Sequence, residues 1–341
     1  MNPTLSIIIP TYNRTRMLER AINSALASAP EGEVEVVVVP NGPHRDWLTA
    51  QALYRGDARV CWHPIERGHA CAARNHGLTC ASGEYVRFLD DDDYLLPRAA
   101  EQLWQLRMAG ADVATAPLAI ADAAGHLRHT QPLPETHDFV EAALLSIAIS
   151  NMTAGCIFRR ATLMGLRWRE DVVLYDDYLW IMAVAQRSEV KWYRGEEPVM
   201  AYVEHDGPRL SRVVRSSTNS SPLLAGILDM CEHLHSEGRN TIGRDRAAAS
   251  ALLTHVHSAF PSSPFLLGSA IRQAAAIAPD ARPLQPIFSA HGWLARHIHA
   301  VEWIMLPARY LTRGYRRIVW LCAARLGRFV RWARARNGTN E

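Results

Sequence analysis

Compact apolar runs alternate with amphipathic stretches along the first part of this chain. The segments 5–9, 34–39 and 85–89 are almost wholly apolar, a pattern typical of strands that are buried on both faces of a sheet. After the first run, apolar residues recur at helical spacing over 17–26, and Asn13 stands before them as a predicted helix cap. Strands that alternate with helices in this way indicate a mostly parallel sheet covered by helices.

Weaker patterns extend this alternation. The segment 59–65 predicts a third strand, 69–81 predicts a helix, and Pro97 stands where a further helix can begin. We predict that this helix reaches Gly110 and that 112–120 forms one more strand. Because ligands bind beyond the carboxyl ends of the strands in such sheets, the residues that directly follow each strand are the first candidates for a site.

The pattern loosens in the second half of the chain. Strands are predicted at 154–160, 190–193 and 199–205, with a helix over 175–188 between the first two. From about residue 216 onward the pattern is helical, with breaks that are rich in Pro and Ser. The expected architecture is therefore an α/β domain followed by a helical C-terminal extension.

Composition changes this picture little. Of the 341 residues, 48% are hydrophobic and 21% are charged, as in ordinary globular proteins. The six cysteines form no Cys-x-x-Cys pair, which argues against a disulfide framework or a zinc knuckle and favours a reducing compartment. The N-terminus leads almost directly into the first strand, and the longest uncharged stretch, 142–158, holds too many polar residues for a membrane span. We therefore expect a cytoplasmic protein.

Charge is unevenly distributed, although the net charge is only +3. Nine arginines and no acid lie between Arg309 and Arg336, interleaved with aromatic and aliphatic residues. A predicted apolar stripe runs beside them through Leu311, Tyr315, Ile318, Val319, Cys322 and Leu326. A basic amphipathic helix of this kind is typical of segments that bind a membrane surface containing anionic lipids. The alternatives are a helix packed on the rest of the protein and a nucleic-acid-binding arm; we expect the inner face of the cell membrane and no nucleic acid.

The main chemical signal is the acidic run Asp90–Asp93, which directly follows the apolar segment 85–89. Four adjacent carboxylates repel one another, so the arrangement costs stability unless a cation compensates. Mg²⁺ or Mn²⁺, held by one or two carboxylates and by substrate phosphates, fits that need. The alternative is a solvated acidic loop or helix start, but the position at the carboxyl end of a strand favours a site.

Six segments resemble, in their order along the chain, the motifs of family 2 glycosyltransferases with the GT-A fold. They are LSIIIPTYNR, ACAARNHG, GEYVRFLDDDDYLLP, GCIFRR, LYDDYLWIMAVA and YVEHDGPRLS, and they cover roughly residues 4 to 212. The resemblance implies a GT-A-like, mostly parallel sheet flanked by helices. It also implies an inverting enzyme of cell-envelope polysaccharide assembly, which moves a sugar from a nucleoside diphosphate, most often UDP, to a glycan, lipid-linked or small-molecule hydroxyl.

On this basis the chain is expected to have three parts. A catalytic domain spans 1–215, of which 1–118 binds the nucleotide-sugar and 119–215 supplies the acceptor site and the catalytic base. A helical region follows over 216–306, and a basic amphipathic tail covers 307–341.

The resemblance also implies roles for individual residues. Asp177, at the start of an apolar helix, aligns with the family's catalytic base, which removes the proton of the acceptor hydroxyl. The pair Glu170-Asp171 is the rival candidate, although no apolar helix follows it. Asp92 and His205 are the expected ligands of Mn²⁺ or Mg²⁺, where the ion stabilises the departing diphosphate.

Two further groups complete the implied site. The residues expected to bind the nucleotide are Thr11, Tyr12, Arg14, Asn41, His69, Arg74, Asp90 and Asp91. The residues expected to line the acceptor or sugar pocket are Gly155, Asp176, Trp180, Arg209 and Ser211. Trp180 is equally compatible with a place in the core, and Asn75 is expected to support structure.

The chain departs from the family pattern after the second strand. The family usually has an Asp-Asp-Gly-Ser-like turn there, whose acid reads the nucleobase, whereas this chain has Pro40-Asn41-Gly42-Pro43. The amide of Asn41 can both donate and accept, so it can still contact a base.

Two other functions remain as alternatives. One is a sugar-phosphate nucleotidyltransferase, whose usual Gly-rich loop and lysine are absent from IIIPTYNRTR; the other is a non-catalytic nucleotide-sugar-binding module.

Overall fold

Two sheets and a set of helices make up the computed structural model, which describes residues 3–30, 32–149, 151–187, 190–205, 221–260 and 266–311. The strands are β1 (Leu5–Thr11), β2 (Val34–Pro40), β3 (Val60–Trp62), β4 (Tyr85–Phe88), β5 (Tyr94–Leu95), β6 (Val113–Thr115), β7 (Leu118–Asp122), β8 (Leu127–Gln131), β9 (Ile157–Arg159), β10 (Trp192–Arg194) and β11 (Met200–Glu204). The helices are α1 (Thr15–Leu26), α2 (Trp47–Leu53), α3 (Ala70–Cys80), α4 (Arg98–Met108), α5 (Phe139–Ile149), α6 (Asp176–Ala185), α7 (Ser221–Ser236), α8 (Ile242–Ala259), α9 (Leu266–Ile277), α10 (Pro286–Ala290) and α11 (298–311).

The larger sheet has seven strands in the order β10-β6-β9-β4-β1-β2-β3. β9 runs antiparallel to β4 and β6, and the other neighbouring pairs are parallel. All seven residues of β1 are buried, because β2 and β4 flank it in the sheet and α1 and α3 pack against it. The mostly parallel α/β sheet flanked by helices, predicted from the apolar runs, is confirmed.

A smaller sheet with the order β5-β11-β7-β8 completes the fold beside the acidic run. β5 begins directly after Asp93 and pairs antiparallel with β11, so that Tyr94 lies opposite Ala201 and Leu95 opposite Met200. β11 ends at Glu204, one residue before His205. This pairing brings the acidic run and His205, more than a hundred positions apart in the chain, to the same place.

Two local predictions are wrong. The segment 112–120 is not one strand: it divides into β6 and β7, which belong to different sheets. Pro117 lies at the break, where its missing N–H does not interrupt a strand ladder. Asn13 is not the cap of α1. It has a left-handed backbone, with φ of 55°, and Arg14 occupies the cap position without a side-chain hydrogen bond to the helix.

A helix that sequence reasoning did not predict, α5, overlaps the first part of the long uncharged stretch. α5 is apolar on nearly every side, and it packs against α6 and α8. A helix that is apolar all round belongs in a core, and the residues Val140, Ala142, Ala143 and Leu144 are buried there. None of the helices in the described part of the chain has the length and hydropathy that a bilayer-spanning segment needs.

The helices after residue 220 pack on the sheet domain. α8 contacts α5, α7 contacts α6, and one hydrophobic cluster extends from β1 and β4 through these helices to Val301 in α11. The described part of the predicted tail ends in α11, and residues 312–341 lie outside the described residues. The division at 215 and 306 stays a prediction.

Candidate active site

The four aspartates after β4 have different partners and different exposure. Asp90 is the most accessible, with 43% of its side chain exposed, and it accepts a hydrogen bond from Arg74 at 2.7 Å. Asp91, Asp92 and Asp93 are buried. The like charges are therefore held together by separate cationic and hydrogen-bonding partners, and the solvated acidic loop considered from the sequence is not the arrangement found.

Asp91 holds the loop that follows β1. One carboxylate oxygen accepts the hydroxyl of Thr11 at 2.7 Å and the backbone N–H of Tyr12 at 3.3 Å, while the other accepts from Arg14 at 3.1 Å. Burial raises the pKa of Asp91 to about 7; Arg14 acts against this shift, and the charge of Asp92 adds to it. Three residues expected at the nucleotide are thus joined through one carboxylate.

Asp92 and His205 meet as the resemblance implies. The His205 ring nitrogen Nε2 lies 3.0 Å from Asp92 Oδ2, and the same oxygen accepts from Arg14 at 2.5 Å. Arg20 donates to the backbone carbonyl of Asp92 at 2.9 Å. Both Asp92 and His205 are nearly inaccessible to solvent, at 6% exposure each, so a ligand reaching them is desolvated as it binds.

The acidic residues offer a coordination set for a hard divalent cation. One carboxylate oxygen from each of Asp90, Asp92 and Asp93 lies within 4.8 Å of the other two. Asp93 also fixes β11, because its Oδ1 accepts the backbone N–H of Val203 at 2.8 Å. Oxygen ligands of this kind suit Mg²⁺ or Mn²⁺. The residues present therefore fit the ion that the acidic run predicts, with Asp93 as a member that sequence reasoning missed.

Arg74 connects the acidic run to the start of α6. Its guanidinium donates to Asp90 at 2.7 Å and to Asp176 at 2.9 Å, and it lies 4.5 Å from the ring centre of Trp168. The Arg74 side chain is only 7% exposed. Both terminal nitrogens of Arg74 therefore donate to carboxylates, whereas the resemblance implies that this residue contacts the nucleotide. His69 caps the same helix, where its Nδ1 accepts the N–H of Ala72.

Asp177 is a partly buried carboxylate that lines a small cleft together with Asp90 and Arg74. Tyr175, which precedes α6, has a left-handed backbone with φ of 67°, a strained conformation for a non-glycine residue. Asn151 donates to Asp177 Oδ2 at 2.8 Å, and the hydroxyl of Thr153 donates to its backbone carbonyl at 2.7 Å. Asp90 and Asp177 both line this cleft.

Burial raises the pKa of Asp177 to about 7, and the charge of Asp176 adds to this effect. Arg74 and the hydrogen bond from Asn151 act in the opposite direction. A carboxylate with a pKa near neutrality is suited to general-base catalysis, because it accepts a proton readily yet is substantially ionised at neutral pH.

The rival pair is engaged elsewhere. Glu170 accepts from Asn75 at 2.9 Å and is paired with Arg67, and Asp171 is exposed and paired with Arg169. Asn75 has the structural role expected of it: its amide oxygen accepts the N–H of Trp168, and its amide nitrogen donates to the Trp168 carbonyl.

Tyr12 presents an aromatic ring at the surface beside the acidic run. The residue is 49% exposed, its hydroxyl lies 3.2 Å from His44 Nε2, and the two rings meet edge to face. A Cβ atom on Gly42 would lie 2.8 Å from the tyrosine ring, so the glycine lets the two loops approach. Asn41 is buried, and its amide nitrogen donates to the Thr11 carbonyl at 2.8 Å; that donor is used within the protein.

The residues predicted for the acceptor pocket separate into different positions. Asp176 lies beside Arg74, as described above. Trp180 lies in the core, stacked on Trp168 with ring centres 4.6 Å apart. The space beside Gly155 does not admit substrate, because a Cβ there would lie 2.3 Å from the Ala116 carbonyl oxygen. Arg209 and Ser211 lie outside the described residues.

Sequence reasoning missed the residues that position Asp177. Asn151 and Thr153 line the cleft, but they lie in a short 3₁₀ region after α5 that has no periodic signal. Trp168, which supports Arg74, lies in a segment without a recognisable motif. A polar residue in an otherwise apolar stretch, such as Asn151, was the available signal.

Part of the chain is similar in sequence to known proteins. Residues 6–164 match the family model described as Glycosyl transferase family 2. The GalNAc(5)-diNAcBac-PP-undecaprenol beta-1,3-glucosyltransferase of Campylobacter jejuni is 37% identical over 106 residues, 30% of this chain and 34% of the relative. The Poly(ribitol-phosphate) beta-N-acetylglucosaminyltransferase TarP of Staphylococcus aureus is 33% identical over 103 residues, 29% of this chain and 32% of the relative. The chain thus spans about a third of the length of these curated relatives.

A solved structure has a similar fold. S. aureus TarS 1-349 in complex with UDP-GlcNAc has a TM-score of 0.63 at 19% identity, and the match covers 82% of each chain. At this identity the likeness shows the fold, a central sheet flanked by helices. Residues 6–164 of the chain belong to glycosyl transferase family 2.

Proposed function

We propose that the chain is an inverting, metal-dependent glycosyltransferase of cell-envelope glycan assembly. In this reaction an acceptor hydroxyl attacks the anomeric carbon of a nucleotide-sugar, and the bond from that carbon to the diphosphate breaks. The observation that carries the proposal is the placement of Asp177. This partly buried carboxylate shares a cleft with Asp90, and Arg74 donates both to Asp90 and to Asp176, the residue next to Asp177.

Asp177 is the proposed general base. The proton passes from the acceptor oxygen to a carboxylate oxygen of Asp177 as the new glycosidic bond forms. Asn151 orients the carboxylate through the hydrogen bond it donates to Oδ2, and Thr153 fixes the backbone through the one it donates to the Asp177 carbonyl. Because the site is desolvated, a correctly placed carboxylate loses little energy to solvent reorganisation during the reaction.

The acidic run is the proposed binding site of the donor diphosphate. Asp90, Asp92, Asp93 and His205 are the proposed ligands of Mn²⁺ or Mg²⁺. When bound, the ion supplies a Lewis acid that stabilises the negative charge of the leaving diphosphate. Arg14 lies against Asp91 and Asp92, so a guanidinium is already present where that charge develops.

Tyr12 is the proposed contact of the nucleobase. Its exposed ring offers a stacking surface, and Thr11, Asp91 and Asn41 fix the backbone beneath it. UDP is the proposed nucleotide, a choice in keeping with the TarS complex, which holds UDP-GlcNAc.

The name of the Campylobacter relative specifies an undecaprenol-linked acceptor. For this chain we propose a glycan or lipid-linked hydroxyl acceptor, with membrane contact through the basic tail at the inner face of the cell membrane.

An assay of donor hydrolysis with the full-length protein tests the reaction class. We expect release of nucleoside diphosphate from a panel of UDP-sugars with Mn²⁺, and at least about 100-fold less after chelation. Release of pyrophosphate from an NTP and a sugar phosphate would instead identify a nucleotidyltransferase. Binding of UDP-sugars without turnover, with and without acceptors, would identify a binding module.

A thermal-shift comparison tests the proposed ligands. UDP together with Mn²⁺ is expected to raise the unfolding temperature of the native chain, because a ligand that binds only the folded state stabilises it. Asp92→Asn is expected to remove the part of the shift that depends on Mn²⁺. Asp280→Asn, which alters an exposed carboxylate paired with Arg246, is the control and is expected to keep the shift. An unchanged Mn²⁺ response in Asp92→Asn would contradict the assignment.

A further inference from the structure

A second group of metal-ligating side chains lies between β3 and α3. His63 directly follows β3, and His76 and Cys80 lie one turn apart on α3. One potential ligand atom from each of the three lies within 4.8 Å of the other two. His76 and Cys80 are two and six positions beyond Arg74 on α3, so they lie on a different face of this helix from the residue that joins the acidic run to α6.

The distances are close to those that one tetrahedral ion requires. Cys80 Sγ lies 3.7 Å from His76 Nε2. For a Zn²⁺ ion with Zn–S of about 2.3 Å and Zn–N of about 2.0–2.1 Å, tetrahedral geometry places the two ligand atoms about 3.6 Å apart. The His63 and His76 rings meet at 66° with centres 6.2 Å apart, so small rotations bring both rings to a shared ion.

The two imidazoles and the thiol are a soft ligand set, and an ion can reach them from solvent. All three side chains are partly exposed, and Cys80 is not in a disulfide. Cys61 precedes His63 by two residues, which places both on one face of the extended chain. A second cysteine therefore lies on the same face as His63.

We propose that His63, His76 and Cys80 bind a transition-metal ion of the Zn²⁺ class. Imidazole and thiolate ligands select such ions over Mg²⁺ and Mn²⁺, so this site is chemically distinct from the oxygen-rich acidic run. The ion would join the edge strand β3 to α3, the helix that carries Arg74. The proposal is independent of the sugar-transfer reaction, because it rests on side chains that take no part in that cleft.

Cobalt titration of the full-length, chelator-treated protein tests this site. One equivalent of Co²⁺ is expected to produce a thiolate-to-metal absorption band in the near ultraviolet and tetrahedral visible bands, and Zn²⁺ should displace both. Cys80→Ser should abolish the thiolate band, and His76→Ala should weaken Co²⁺ binding at least about tenfold. Cys231→Ala, which alters a cysteine in α7, and Asp92→Asn, at the acidic run, are controls that should keep the band.

The unfolding temperature gives a second readout. Zn²⁺ is expected to raise it in the native chain and not in His63→Ala or His76→Ala, as binding linkage requires. If Cys80→Ser fails to fold, the two histidine variants still decide the question. Absence of the band at one equivalent of Co²⁺, or its persistence in both histidine variants, would overturn the proposal.

Discussion

Asp176 and Asp177 are adjacent in sequence, yet their surroundings give them different chemistry. Asp176 accepts hydrogen bonds from Arg74 and from the Cys71 thiol. The carboxylate of Asp177 receives its hydrogen bond from the neutral amide of Asn151 and is partly buried. Two neighbouring carboxylates whose environments differ in this way suit a division of labour, with Asp176 positioning Arg74 and Asp177 accepting the proton.

The first prediction concerns the loss of that proton acceptor. Asp177→Asn is expected to lower kcat by about 10²–10⁴-fold, because general-base catalysis contributes about this much. Donor binding, measured by titration with UDP, should change little. The amide is isosteric and removes a desolvated charge, so the unfolding temperature at neutral pH should not fall. Asp171→Asn, in the rival pair, is the matched control; a comparable loss of kcat there would contradict the assignment of the base.

The second prediction concerns pH. The pKa of Asp177 is raised to about 7, and a general base is active only when deprotonated. The kcat/KM of the native chain should therefore be high above about pH 7 and fall about tenfold per pH unit below it. The hydrogen bond from Asn151 lowers this pKa, so Asn151→Ala should move the acidic limb to higher pH. A limb that stays in place in Asn151→Ala would show that another group titrates.

At the scale of elements, α3 is held close to the sheet by a glycine. A Cβ atom on Gly77 would lie 2.4 Å from a methyl carbon of Ile8 in β1 and 3.2 Å from one of Val39 in β2. Carbon atoms do not approach this closely, so any side chain at position 77 would force the helix away from the sheet. The placement of Arg74 three residues earlier depends on this contact.

The third prediction follows from that approach. Gly77→Ala is expected to lower the free energy of unfolding by about 1–2 kcal/mol, because overpacking outweighs the helix propensity gained. It should also lower kcat, since Arg74 moves with the helix. Gly268→Ala in α9 is the matched helical control, where the new Cβ meets only the end of the Arg272 side chain at 3.6 Å. Equal denaturation midpoints for the two variants would contradict the packing argument.

The sequence predicts well those strands and helices whose own residues form a continuous apolar run or begin with a recognisable motif. β1, β2 and β4 follow continuous apolar runs, and α3 and α6 begin at recognisable motifs. The division between β6 and β7 depends instead on which sheet each half joins, and this is settled by pairing with β10 and β11 far along the chain. Local periodicity holds no such information.

The same distinction applies to the site. Asp92, Asp177 and His205 come from motifs, and the fold places Asp92 beside His205 and Asp177 in the cleft with Asp90. Individual partners within the acidic run, such as Val203 for Asp93, depend on strand register across more than a hundred residues. The cluster of His63, His76 and Cys80 brings a residue after a strand beside two residues of a helix, so no short motif such as Cys-x-x-Cys marks it in the sequence.

At the scale of the whole molecule, the helical region covers the helices that carry the site. α7 packs on α6, which begins with Asp176 and Asp177, and α8 packs on α5. Glu302 in α11 is buried and paired with Arg309 and with His257 of α8. The last described helix, whose final residues belong to the predicted tail, is thereby tied to α8.

The fourth prediction separates the tail from the rest of the molecule. A chain truncated after residue 311 should keep the native unfolding temperature and the activity on a soluble acceptor, because the contacts of α11 remain. It should lose flotation with vesicles that contain anionic lipids, while the full-length chain floats with anionic vesicles and far less with neutral ones. Undiminished flotation of the truncated chain would exclude the tail as the membrane contact.

The stacked indoles of Trp168 and Trp180 have a further consequence. Their ring planes differ by only 4°, so we expect them to absorb ultraviolet light as a coupled pair, and we expect the Arg74 guanidinium over the Trp168 ring to influence that absorption. A donor that draws Asp90 away from Arg74 should change the near-ultraviolet circular dichroism of the pair, and Arg74→Met should lose this change. We therefore expect the unmodified chain to report donor binding optically, without any turnover.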